Sequence, residues 1–130
     1  MIKTAVAYSK GVAQAPRKVA IVASLVRDRN VEDARVILQN TPRRSALPIL
    51  KTIDSAVANL LNANSIDSKT MAISRIVVSA GPRMRRYMPA SRGRALPFEK
   101  KSSNILIEVR GEEKAKKVEK VEKPNGKETK

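Results

Sequence analysis

Between Pro82 and Lys101 stand Arg83, Arg85, Arg86, Arg92, Arg94, Lys100 and Lys101, opposed by one acid, Glu99. The chemistry open to such a run is electrostatic. Guanidinium forks donate bidentately to phosphate oxygens and stack on bases, and each cation that meets a phosphate releases condensed counterions. Arginine outnumbers lysine five to two here, and the density of charge exceeds what solubility requires. Ala90, Ser91, Gly93 and Ala95 lie among these cations and let a backbone approach closely. Two smaller clusters share this character. Lys10, Arg17 and Lys18 gather at the expected start of a first helix, where cations oppose the macrodipole and a phosphate would relieve it. Arg43 and Arg44 stand in the same relation to a later helix.

Other chemistries find little material. With no cysteine and no histidine, the chain has neither disulfides nor thiolate metal sites, and it lacks the commonest general base and metal ligand. Asp28, Asp33, Asp54 and Asp67 fall at helix ends or on exposed helical positions, where they read as caps and surface ion pairs. No phosphate-loop or dinucleotide glycine pattern and no nucleophile elbow occurs. The expectation is a binding protein with no catalytic residues, no cofactor and no metal. The longest apolar run, from Val19 to Val26 with Ser24 inside it, is far short of the ~20 residues of a membrane span. It also lies too far from the start for a signal peptide, so a cytosolic protein without a membrane partner is expected.

The elements that position these cations can be read from periodicity. Thr4 to Tyr8 alternates like a short strand. Pro16 can open a helix over about residues 15–27, with Val19, Val22, Leu25 and Val26 at helical spacing. Asn30 is a candidate N-cap for a second helix carrying Val31, Ala34, Ile37 and Leu38 on its buried stripe, ended by Asn40-Thr41-Pro42. A third helix carries Leu47, Leu50, Ile53, Val57, Leu60 and Leu61 and ends near Asn62 or Asn64. Its cap fits Ser45 better than Thr41, because Pro48 is harmless only in a first turn. Met71 to Ala80 reads as a strand that is buried on both faces or bulged. Ile105, Ile107 and Val109 alternate with polar neighbours, as in a strand with one buried face.

The two late strands are joined either by a loose loop or by an extended two-stranded ribbon, each side of which would reach roughly 30 Å at about 3.3 Å per residue. Pro82, Pro89 and Pro97 cannot donate ladder hydrogen bonds and fit a distorted ribbon. Tyr87 and Phe98, one on each side, are expected to pack across it, with base stacking as the alternative. An isolated ribbon is marginal in water, so a partner should order it. The total charge of +15 points to a polyanion, with nucleic acid the fitting class. We expect one domain over residues 1–110, including the hairpin from about 71 to 110, followed by a Lys/Glu tail over 111–130 that is disordered in isolation.

The run Gly81-Pro82-Arg83-Met84-Arg85-Arg86-Tyr87-Met88-Pro89, followed by Arg92-Gly93-Arg94-Ala95 and a strand from Asn104 to Val109, resembles the universal large-subunit ribosomal protein family L twenty-two. Pro16-Arg17-Lys18-Val19, Val31-Glu32-Asp33-Ala34 and Ser55-Ala56-Val57-Ala58-Asn59 support the resemblance, which covers about residues 2–110. It implies an α+β fold: three helices packed on a small three-stranded antiparallel sheet with a long protruding β-hairpin. It further implies a single copy in the cytoplasmic large subunit, bound to large-subunit rRNA and neighbouring ribosomal proteins. The hairpin tip, Ala90, Ser91, Arg92, Gly93, Arg94 and Ala95, would line the nascent-peptide exit tunnel. Ala90-Ser91 stands where many members carry a basic residue or two, and Pro48 and the Lys/Glu tail also depart from the familiar bacterial pattern. The main alternative is a DNA-architectural protein whose basic ribbon clasps the minor groove.

Overall fold

The computed structural model describes residues 2–63 and 70–112. The elements are β1 (Ile2–Val12), α1 (Pro16–Val26), α2 (Val31–Asn40), α3 (Ala46–Ala63), β2 (Ala72–Pro89), a 3₁₀ turn at Ser91–Gly93, and β3 (Ala95–Glu112). The three strands form one antiparallel sheet in the order β1-β3-β2, so the last of the described strands is the central one. Its composition suits that place. Ile105, Ile107 and Val109 alternate along one face, and each is fully buried. Ala7, Ile107 and Ile76 form one cross-strand row of the core, and Ala5, Val109 and Ile73 form the next.

Strict alternation would send Ile73 and Ile76, three residues apart, to opposite faces. Both are buried because the β2 register shifts between Ile73 and Arg75, which inserts one residue and returns Ile76 to the core side. Of the two readings of this segment, buried on both faces or bulged, the structure holds the bulge. A second shift between Ala80 and Arg83 contains Pro82, which has no N–H to offer a ladder.

The helices bury narrower seams than a count of apolar residues suggests. In α1 the seam is Val19, Val22, Ala23 and Val26, while Leu25 is 48% exposed. In α3, Ile49, Ile53, Ala56, Val57 and Leu60 face inward, and Leu47 and Leu61 stand outside the seam and are exposed. Small Ala23 and Ala56 are buried within these seams, and Leu25, Leu47 and Leu61 fall to the exposed flanks. Ser45 does occupy the residue before α3, and Pro48 lies in its first turn. The start of α2 differs from expectation in kind. Asn30 occupies the cap position, but its side chain makes no cap hydrogen bond. The β2 entry supplies the partner instead, with the Val31 N–H donating to the Met71 carbonyl at 3.1 Å and the Ile73 N–H donating to that of Arg29 at 3.0 Å. An orphan helix-end amide is thus satisfied by the sheet.

Across the body, Arg35 on α2 holds Asp54 on α3 at 2.7 Å, and the Asn59 amide of α3 donates to the Val6 carbonyl of β1 at 3.1 Å. The hydroxyl of Ser103, in contrast, is fully buried without a hydrogen-bond partner among the described residues. A buried unsatisfied hydroxyl costs about 1–3 kcal/mol, and removing it leaves little cavity. Ser103→Ala is therefore expected to raise the denaturation midpoint, by about 1 kcal/mol in stability, with an unchanged denaturant slope.

Candidate nucleic-acid interface

Beyond the bulge at Pro82, β2 and β3 remain paired as far as Pro89 and Ala95, which settles the choice between loop and ribbon. From Pro82 to Lys101 no residue is buried. The register sorts the side chains onto two faces. Arg83, Arg85 and Tyr87 share one face with Pro97, Glu99 and Lys101, and Met84, Arg86 and Met88 share the other with Leu96, Phe98 and Lys100. Tyr87 and Phe98 consequently lie on opposite faces and cannot pack together across the ribbon. Tyr87 is 72% exposed, in a shallow concavity lined by Arg85, Pro97 and Lys101 among others. Its open ring is free to stack on a base, the alternative raised from the sequence.

The single acid of the arm is taken up within it. Glu99 sits 3.4 Å from the Arg83 guanidinium, diagonally across the strands, while Arg85 lies directly opposite. Such an exposed pair contributes little stability, but it partly neutralises Arg83. Arg86 folds back, its Nη1 donating to the Arg85 carbonyl at 3.0 Å and its Nη2 lying 3.8 Å from the Met84 sulfur. At the tip the Ala90 N–H donates to the Arg94 carbonyl at 2.8 Å, and the turn is closed by two consecutive left-handed residues, Arg92 (φ 59) and Gly93 (φ 71). Nothing lies within 4 Å of a Cβ built on Gly93, so its glycine serves backbone conformation rather than space. Ser91, Arg92, Gly93, Arg94 and Ala95 are all exposed, and Ala90 is half-buried.

The root of the arm is a close-packed joint that sequence reasoning missed. Gly11, left-handed at φ +65 where the β1 register shifts, donates its N–H to the Asn104 side-chain oxygen at 3.0 Å. Across β3 stands Gly81, where an added Cβ would come within 2.6 Å of the Ser102 hydroxyl and 3.3 Å of the Asn104 oxygen. That hydroxyl is already donating to the Pro82 carbonyl. Only the glycine inside an otherwise strand-like run, a usual mark of close backbone approach, could have signalled the joint. Gly81→Ala is expected to displace Ser102 and cost about 1–3 kcal/mol. Ser102→Ala should relieve much of that penalty in the double variant, so the pair measured by denaturation will be strongly non-additive.

Beside this joint the fold brings together cations that are far apart in the chain. Lys18 of α1, Arg43 and Arg44 before α3, and Lys100 and Lys101 of β3 line one open concavity of about 680 Å³, together with Ala13, Gln14, Ala15 and Ser45. None of these five cations is in an ion pair among the described residues. Arg17 is exposed on α1 outside this lining. Lys10 belongs to β1, with its ammonium 5.4 Å from the Tyr8 ring, and is likewise outside this lining. Of the body cations singled out by sequence, Lys18, Arg43 and Arg44 thus line the concavity with the arm, and Lys10 and Arg17 do not.

The family model for ribosomal protein L22p/L17e matches residues 7–110, which takes in the second half of β1, the three helices and the whole of the ribbon. The chain belongs to this family. Among its relatives is the large ribosomal subunit protein uL22 of Metamycoplasma arthritidis, 41% identical over 107 residues that make up 82% of this chain and 51% of that one. The chain therefore spans about half the length of that relative. The proteins of the same name from Clostridioides difficile (41% over 104 residues) and Syntrophobacter fumaroxidans (44% over 101 residues) are covered over 94% and 92% of their lengths. These alignments take in 80% and 78% of this chain. The hairpin residues quoted above and the helix starts lie inside the matched span. Of the Lys/Glu tail expected over 111–130, Gly111 and Glu112 instead complete β3, opposite Lys3 and Ile2, and residues 113–130 lie outside the described residues.

Proposed function

We propose that the protein is a non-catalytic, structural constituent of the large ribosomal subunit in the cytoplasm, present in one copy and seated among neighbouring ribosomal proteins. Its body and arm bind large-subunit rRNA, and its hairpin tip, Ala90 to Ala95, lines the nascent-peptide exit tunnel. The observation that carries this reading is the ribbon, twenty residues with seven cations and one acid and not one buried side chain. An isolated two-stranded ribbon is marginal in water, and this one adds like-charge repulsion. A surrounding of phosphates supplies the missing counter-charge. Family membership supports the ribosomal site over a DNA-clasping arm, and the small residues at the tip suit a wall along which a peptide passes.

Arginine-phosphate contacts should account for most of the affinity. RNA shape and splayed bases should account for much of the specificity, because A-form helices hide their base edges in a deep groove. Two measurements test the two halves separately. Sedimented large subunits from cells expressing the tagged chain should contain it at one copy, and its absence from them overturns the ribosomal reading. A photo-crosslinker at Ser91 should label an arrested nascent chain. Labelling of rRNA alone overturns the tunnel assignment while leaving the rRNA-binding role in place.

A further inference from the structure

At the concavity beside the root of the arm, charges from α1, from the segment before α3 and from β3 meet. Its five cations have no carboxylate against them among the described residues. Ser45 adds a second, different donor. It is 3% exposed, it lines the concavity, and its hydroxyl makes only a 3.5 Å contact with the Lys18 carbonyl, at the limit of a hydrogen bond. A hydroxyl held this way can turn its proton toward an anion at little cost. The concavity is open to solvent, and its volume of about 680 Å³ has room for the backbone of a nucleotide or two. The side of an A-form duplex is convex and presents two backbones flanking a groove, a poorer match to a recess whose cations come from both the body and the arm.

Resting on the rRNA-binding reading above, we infer that this concavity holds two or three consecutive phosphates of a single, sharply bent rRNA strand, and does not lie against the side of a duplex. Lys18, Arg43, Arg44 and Ser45 approach these phosphates from the body, and Lys100 and Lys101 from the arm. One stretch of backbone thereby ties the arm to the body, next to the Gly11, Gly81 and Asn104 joint.

The test uses the full chain with deproteinised large-subunit rRNA, and it compares wild type with the double variants Arg43→Ala/Arg44→Ala and Lys100→Ala/Lys101→Ala. All four residues are exposed, and unchanged thermal unfolding confirms that the variants fold. Phosphate-alkylation footprinting should show a short run of consecutive protected phosphates on one strand, lost in both variants. Each double variant should bind about tenfold more weakly and lower the salt slope by about 1–2. The quadruple variant should lose less than the product of the two, since both pairs grip the same phosphates. Protections split over two strands of a duplex, or lost at different places in the two variants, overturn the inference while rRNA binding stands. A wild-type chain that protects no phosphate at all overturns the rRNA-binding reading together with it.

Discussion

Replacing Arg85, Arg86, Arg92 and Arg94 with alanine is expected to lower affinity for large-subunit rRNA by roughly 10²- to 10³-fold at physiological salt. The same change should flatten the logarithmic salt dependence by about 3–4 units, since each phosphate contact contributes a slope of about 0.7–0.9. These four are chosen because the structure leaves their charge uncompensated, whereas Arg83 is already beside Glu99. None is buried, so the thermal stability of the body should not fall. Filter binding across a salt titration reads both effects. Arg→Lys replacements at the same positions should keep the slope, because charge is preserved, and still lose affinity where planar bidentate contacts matter. An arm that merely skirts the RNA would show neither change.

The second large effect leaves charge untouched. Ile107→Ala empties the middle of the central strand, where Ile107 is fully buried between Ala7 and Ile76. A truncation of this kind costs about 2–5 kcal/mol, a large share of the 5–15 kcal/mol that holds a typical domain together. Denaturant unfolding should show a much lower midpoint, and rRNA binding should weaken in proportion to the folded fraction while its salt slope is retained. The two variants thus separate contact from scaffold. One changes the slope without the midpoint, and the other changes the midpoint without the slope.

The parts of this fold that were legible in the sequence are those set by local pattern. Alternation marked Ile105, Ile107 and Val109 as an inward face, the missing N–H of Pro48 placed the start of α3, and the adjacent β-branched residues from Ile73 to Val78 carried the sign of a bulge. The density of arginine marked the arm. What was not legible depends on register and on contacts between distant segments. Tyr87 and Phe98 were expected to meet, but their faces are decided by the pairing of Arg86 with Phe98 and Tyr87 with Pro97, and no local pattern encodes that pairing. Leu25, Leu47 and Leu61 fit a helical stripe as well as Ala23, Ile49 and Ala56 do, and only the shape of the sheet beneath selects among them. Asn30 has the chemistry of a cap, yet the backbone at Met71 does that work. The meeting of Lys18, Arg43 and Arg44 with Lys100 and Lys101 spans most of the chain and follows only from the strand order.

That strand order also governs when the protein can fold. Among the described strands the central one is the last to be made, and β1 pairs with it, Ile2 opposite Glu112. Closing so long a loop is slow, and the three-stranded sheet is incomplete until it closes. During synthesis the helices and the basic arm therefore emerge as an open, strongly cationic chain with its apolar seams uncovered. Such a chain is prone to aggregate or to bind stray RNA unless its own partner or a chaperone is at hand. A truncation ending before Ile105 should consequently yield no native-like core at all, however much of the body it retains.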